Sequence, residues 1–190
     1  MSKQRPPQDA AWPAGSIFTV GHSTLPIERF LTLLATYGIK QLADVRTVPR
    51  SRRNPQFNAD ALSESLRTAG ISYVPLRELG GLRKPRPDSP NSGWRNESFR
   101  GYADYMQTPE FAAGLARLVE LAAEQRTAIM CAEAVPWRCH RSLVADALAA
   151  RGTGTVEILS ETSYRDHALT AFAQVSGTTV TYPPAQDRLL

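Results

Sequence analysis

Long apolar runs are missing from this sequence. None approaches the roughly 18 residues that a membrane-spanning helix requires, which excludes a helical membrane protein. The opening Met1-Ser2-Lys3-Gln4-Arg5-Pro6-Pro7-Gln8-Asp9-Ala10 has no apolar signal core, so a cytoplasmic protein without membrane contact is expected. Cysteine is scarce, two in 190 residues, which excludes a disulfide-stapled fold. In a reducing compartment both are expected as thiols. Dinucleotide fingerprints and P-loops are absent, since Gly80-Gly81 matches neither, and no cofactor is expected. No internal repeat is present, which excludes a solenoid or propeller.

What is present suits an ordinary globular domain, with 42% hydrophobic and 21% charged residues. The chain is long enough for one well-buried core and short for two. Charge is unevenly placed. Residues 46–101 hold eleven Arg or Lys against five Asp or Glu, a local net of +6, within a chain of net +4. Such a segment favours an anionic partner, a phosphate-bearing small molecule or nucleic acid. A solvated arginine-rich surface is the plainer alternative.

In chain order, residues 1–14 read as a disordered, proline-rich arm. Ile17–Val20 reads as a strand, and Ile27, Phe30, Leu31, Leu34 and Tyr37 recur at helical spacing before Gly38. Ile39–Val45 is a second strand, completing a βαβ unit with its parallel pairing and right-handed crossover. Arg46–Pro55 is a loop. Asn58 or Asp60 caps a helix running to Gly70, and Ile71–Pro75 is a third strand. Residues 79–98 show no regular pattern, and helices follow around Tyr102–Met106 and from Pro109 through Phe111, Leu115, Leu118, Val119 and Ala122. A strand through Ala128–Cys131, a helix to Arg151 and a strand at Thr155–Leu159 come next. A weak helix near Tyr164–Phe172 and a tail over 176–190 close the chain. The expected fold is one α/β domain, residues 15–175, with three α/β/α layers and a mainly parallel open sheet.

Chemistry concentrates between Cys131 and Arg141. Both cysteines, His140, Glu133, Arg138 and Arg141 fall within these eleven residues, where a strand breaks at Pro136 and a helix begins. Ligands of open α/β sheets bind at strand C-terminal ends, beside helix N-termini. Cys139 stands at such a helix start, where unpaired N–H groups favour a thiolate, and His140 and Arg141 add to that field. A small packed cysteine is the alternative, and Cys131 reads as core. Asp44 and Glu133, both at strand ends, are candidates for acid and base roles or for ion pairs with arginine. His22 shares their rim. Arg46, Arg52, Arg141 and His140 are candidates to hold the anion, with Arg50 and Arg53 nearby and Trp94, Phe99 and Tyr102 as stacking surfaces.

Known spacings narrow the chemistry. A tyrosine-phosphatase loop needs five residues between cysteine and arginine, but Cys131 and Arg138 have six between them. A zinc deaminase needs Pro-Cys after its Cys-x-Glu, but Trp137 follows Pro136. Structural zinc sites place cysteines closer than the seven intervening residues here, so no metal is expected.

Thr19-Val20-Gly21-His22-Ser23, Asp44-Val45-Arg46 with Pro49 and Ser51, Leu79-Gly80-Gly81, and Cys131-Ala132-Glu133 with Cys139-His140-Arg141 together resemble the bacterial domain-of-unknown-function family 488. The four motifs stand in order over roughly residues 16–160. The resemblance implies a compact cytosolic α/β domain and no particular reaction. The expectation is therefore an enzyme of unassigned reaction on a phosphate-bearing substrate, or a binding module for nucleotide or nucleic acid. In the enzyme, Glu133, Asp44 and His22 move protons and Cys139 is a thiolate.

Overall fold

The structure, a computed structural model, describes residues 11–185. Five parallel strands form the centre of one sheet: β1 (Ile17–Gly21), β2 (Gln41–Asp44), β3 (Ser72–Pro75), β4 (Thr127–Cys131) and β5 (Thr155–Ser160). A sixth, β6 (Ser163–Asp166), lies antiparallel on β5, so the order is β3-β2-β4-β1-β5-β6. Five helices cover it: α1 (Ile27–Thr36), α2 (Ala59–Thr68), α3 (Glu97–Tyr105), α4 (Pro109–Glu124) and α5 (Arg141–Ala149). This is the expected α/β class.

Alternation along each strand produces the layers. Phe18, Val20, Leu42, Ala128 and Met130 face one side and meet Phe30, Leu34, Leu62 and Leu66 of α1 and α2. Ile17, Ala43 and Ile129 face the other and meet Leu115, Leu118, Leu143 and Val144 of α4 and α5. Each fully buried Val, Leu, Ile, Phe or Met side chain among these contributes about 1.5–3 kcal/mol. Local chemistry sets the boundaries. Gly38 and Gly70 end their helices at φ +64 and +70, in the left-handed region. Thr108 accepts from Phe111 N–H and Pro109 opens α4, whereas Val119 points to solvent rather than to the core.

α3 begins earlier than its apolar pattern suggests, because Asn96 Oδ1 accepts from Ser98 and Phe99 N–H. The irregular segment before it is pinned rather than loose. Buried Asp104 takes hydrogen bonds from Arg86 N–H, Ser89 Oγ and Asn91 Nδ2, at 2.6–2.8 Å.

The C-terminal region departs from expectation. Tyr164–Phe172 is not helical. Its first residues form β6, where Arg165 sits opposite Glu157 and bonds its carboxylate at 2.5 Å. The expected boundary at 175 falls inside a hairpin, β7 (Gln174–Ser176) and β8 (Thr179–Thr181). Val180 and Tyr182, placed in the tail by sequence, are buried against α5 and α3 neighbours. Of the expected N-terminal arm, residues 1–10 lie outside the described residues. Trp12 within it packs edge-on against Phe18, with ring centroids 5.1 Å apart.

Candidate functional site

β1 and β4 are adjacent, but their connections leave on opposite faces: α1 follows β1 on one side and α5 follows β4 on the other. Such a switch point opens a crevice at the strand C-termini. Parallel register places Gly21 beside Cys131, and Asp44 beside Met130 and Pro75. His22, Asp44 and Cys131–Glu133 therefore share one rim. The pairing continues into the loops, with His22 N–H on Cys131 O and Ser23 N–H on Ala132 O. A Cβ on Gly21 would lie 1.9 Å from Glu133 O, so the close approach of these segments requires glycine.

A cleft of about 610 Å³ opens there. Its walls include Arg46, Arg50, Arg138, Ser23, Val48 and Leu82, and both thiols with His140 also line it. Ser23 (φ 46) and Leu82 (φ 59) are the non-glycine residues with positive φ among the described residues, and both line this cleft. Left-handed backbone of this kind costs about 1–3 kcal/mol and clusters at functional sites.

The carboxylate expectations separate in the structure. Asp44 is buried and grips Arg46 in a bidentate pair, Nε at 2.8 Å and Nη2 at 2.6 Å, while accepting from Tyr73 Oη at 2.7 Å. It holds an arginine in place and offers no oxygen to the cleft. His22 stands behind the same arginine. Its Nδ1 faces Ser23 O, which can only accept, and its Nε2 faces the Arg46 Nη1 donor at 3.3 Å. The imidazole is thus the neutral Nδ1–H tautomer. Burial foremost, then the Arg46 cation, lowers its pKa to about 4 against the Ser23 hydrogen bond that raises it. Phe57 stacks on the ring at 4.0 Å.

Glu133 is exposed at the mouth, one carboxylate oxygen capping Val135 N–H at 3.1 Å. Its backbone carbonyl, not its carboxylate, accepts from Arg141 Nη2. Glu133→Gln is therefore expected to cost about 1 kcal/mol or less in a denaturant titration, since an amide oxygen can cap the same N–H. A loss of several kcal/mol would show that the carboxylate charge itself holds Arg141.

The thiols meet at the floor. Cys131 Sγ, Cys139 Sγ and a ring nitrogen of His140 lie within 4.8 Å of one another. His140 Nε2 faces Val45 O at 3.1 Å and must donate to it, which turns Nδ1 toward Cys139 Sγ at 3.7 Å. Arg141 is fully buried, donating Nε to Cys139 Sγ at 3.3 Å and Nη1 to Thr19 Oγ1 at 3.5 Å. The Cys131 S–H bond to Cys139 is the largest influence lowering the Cys139 pKa; His140 and Arg141 act the same way against burial. The same bond, with burial, pushes Cys131 up. The opposite directions favour the charge of the pair on Cys139 rather than on Cys131.

Several placements differ from the sequence reading. Arg141 faces Cys139 inside the protein instead of lining the cleft, and Arg52 is exposed and outside the cleft wall. Arg50 and Arg138 line it instead. Trp94 goes into packing, whereas Phe99 and Tyr102 both reach the cleft, Tyr102 from within the core. Cys131, read from sequence as core, packs against the core and also reaches the cleft floor. Its position as the last residue of a parallel strand was the available signal.

Fold and site together define an open parallel α/β protein with a thiol-bearing cleft at its switch point. The chain belongs to the family described as Domain of unknown function DUF488, whose match covers residues 26–148. That span includes Asp44–Arg46, Gly80–Gly81 and Cys131–Arg141, and begins after His22. None of the curated proteins and none of the solved structures matches the chain. Among the described residues no helix is long and apolar enough to cross a membrane.

Proposed function

We propose that the protein is a cytoplasmic enzyme that uses the Cys139 thiolate on a phosphate-bearing small molecule. One observation carries this reading. Arg141 is wholly buried, yet no carboxylate pairs with it among the described residues, and its Nε points at Cys139 Sγ. A buried guanidinium without an anion costs several kcal/mol, so a thiolate at Cys139 is the partner that balances it. A divalent ion held by both thiolates would restore the imbalance, leaving Arg141 an extra buried cation.

The cleft supports the rest. Its volume suits a small ligand. Arg46, held rigid by Asp44 and His22, and Arg50 and Arg138 at the wall supply positive charge for phosphate oxygens. A flat nucleic-acid platform is less well supported, because much of the basic segment is engaged elsewhere. Arg67 pairs with Glu64, Arg100 with Glu97, and Arg83 lies over the Tyr105 ring.

Alkylation tests the reading. Cys139 should carboxymethylate rapidly at pH 6, well below the ordinary thiol pKa of about 8.5, while Cys131 stays unlabelled. Anionic iodoacetate should gain on neutral iodoacetamide, relative to their ratio on a small thiol, by about tenfold. Inorganic phosphate or pyrophosphate should protect. Equal, slow labelling of both thiols would make Cys139 structural and end the proposal.

A further inference from the structure

The second thiol is unexplained by a single-nucleophile enzyme. Cys131 lies partly buried on the cleft floor, within 4.8 Å of Cys139 Sγ, and both line the same opening. We propose that Cys131 and Cys139 form a reactive dithiol couple that reduces a small hydroperoxide, with Cys139 as the attacking thiolate and Cys131 as the resolving thiol. This rests on the thiolate assignment above and adds a second activity to the same site.

The geometry supplies each part of the sequence. Cys139 Sγ attacks one peroxide oxygen, so an S–O bond forms and the O–O bond breaks. Sulfur loses two electrons and the departing alkoxide or hydroxide takes a proton from solvent. Arg141 Nε, 3.3 Å from the sulfur, stays on Cys139 throughout and keeps the attacking thiolate charged. Cys131 Sγ lies within 4.8 Å of the same sulfur. It attacks the sulfenic sulfur, the S–S bond forms, the S–O bond breaks, and hydroxide leaves with the Cys131 proton as water. One thiolate, one thiol, one hydroperoxide and one solvent proton give a disulfide, an alcohol or water, and water. A small dithiol returns the pair to its starting state.

The environment also predicts what kind of disulfide results. Oxidation removes the negative charge beside Arg141, which then has only Thr19 Oγ1 and Glu133 O as partners. A native disulfide ordinarily stabilises the fold that holds it. Here the oxidised form leaves a cation buried and uncompensated, so the couple should be oxidising and readily reduced.

The test uses the full chain and hydrogen peroxide. One equivalent should convert wild type to a species two hydrogens lighter, with a Cys131–Cys139 cross-linked peptide that dithiothreitol reverses. Cys131→Ser should instead trap Cys139 sulfenic acid, raising dimedone labelling about tenfold over wild type. Cys139→Ser should consume no peroxide beyond buffer. A reduced melting temperature on oxidation would support the uncompensated-arginine argument. Equal dimedone labelling of wild type and Cys131→Ser, or a metal bound stoichiometrically to the purified protein that blocks peroxide reaction, would overturn the couple. Rapid low-pH alkylation of Cys139 without disulfide formation would sink this inference and leave the proposed function standing. Slow alkylation would sink both.

Discussion

Arg141→Ala is expected to lower the unfolding free energy by about 3–5 kcal/mol. Two losses combine. The side chain is among the largest that are fully buried, so truncation leaves a cavity. Removing its charge also strips Cys139 of its cation, and a thiolate there would have to take up a proton to remain buried. Arg141→Lys should recover little, because one ammonium cannot reach Cys139 Sγ, Thr19 Oγ1 and Glu133 O with the fork geometry of a guanidinium. Urea midpoints at constant slope would measure the cost. Adding Cys139→Ser isolates the charge pair, since the double variant should cost at least about 1 kcal/mol less than the two single changes summed. Additive losses, or an Arg141→Ala protein within 1 kcal/mol of wild type, would mean that the arginine is packed without an anionic partner.

Why the sequence showed some of this and hid the rest follows from range. Strands and helices are local: Phe18 and Val20 alternate, Ile27 to Tyr37 repeats every three or four residues, and Gly38 stops the helix through its own φ. Parallel order then follows from the βαβ pattern, and parallel order places His22, Asp44 and Glu133 on one rim. What each residue does on that rim is a matter of contacts from elsewhere. Asp44 is taken by Arg46 two residues on, but also by Tyr73 from the neighbouring strand. Cys131 and Cys139 are seven intervening residues apart. The single turn at Pro136–Arg138 folds them together, a geometry that spacing rules for zinc and phosphatase loops do not anticipate. Asp146, on α5, carries no local signal of its role. It is buried and meets His167 and Tyr182, 21 and 36 residues away.

That last cluster carries a pH prediction with a definite sign. His167 bridges two buried carboxylates, Nε2 to Asp146 at 2.8 Å and Nδ1 to Glu157 at 2.8 Å, with Arg165 on the far oxygen of Glu157. Burial opposes its charge, but the Asp146 and Glu157 hydrogen bonds and charges prevail and raise its pKa from 6.5 to about 9. A group raised on folding contributes stability that is complete below its unfolded pKa and lost as pH climbs through its folded one. The cluster should therefore weaken between pH 6.5 and about 9, by about 3 kcal/mol at roughly 1.4 kcal/mol per pKa unit. His22 acts in the opposite sense. Its pKa is lowered to about 4, so the unfolded chain binds its proton first and stability falls as pH drops from 6.5 toward 4. A Cys139 thiolate would add stability as pH rises toward the ordinary thiol pKa of about 8.5, so each imidazole is read as the difference between its variant and wild type. His167→Gln should raise the slope of stability above pH 6.5 by up to about 1.4 kcal/mol per pH unit and cost about 3–5 kcal/mol at pH 6, since Asp146 and Glu157 then face each other without their shared cation. His22→Gln should flatten the acid limb instead. Urea unfolding of the three proteins at pH 5, 6.5 and 8.5 decides the matter. The same slope between pH 6.5 and 8.5 in His167→Gln and wild type would show that the imidazole between Asp146 and Glu157 is not what holds the C-terminal strands to α5.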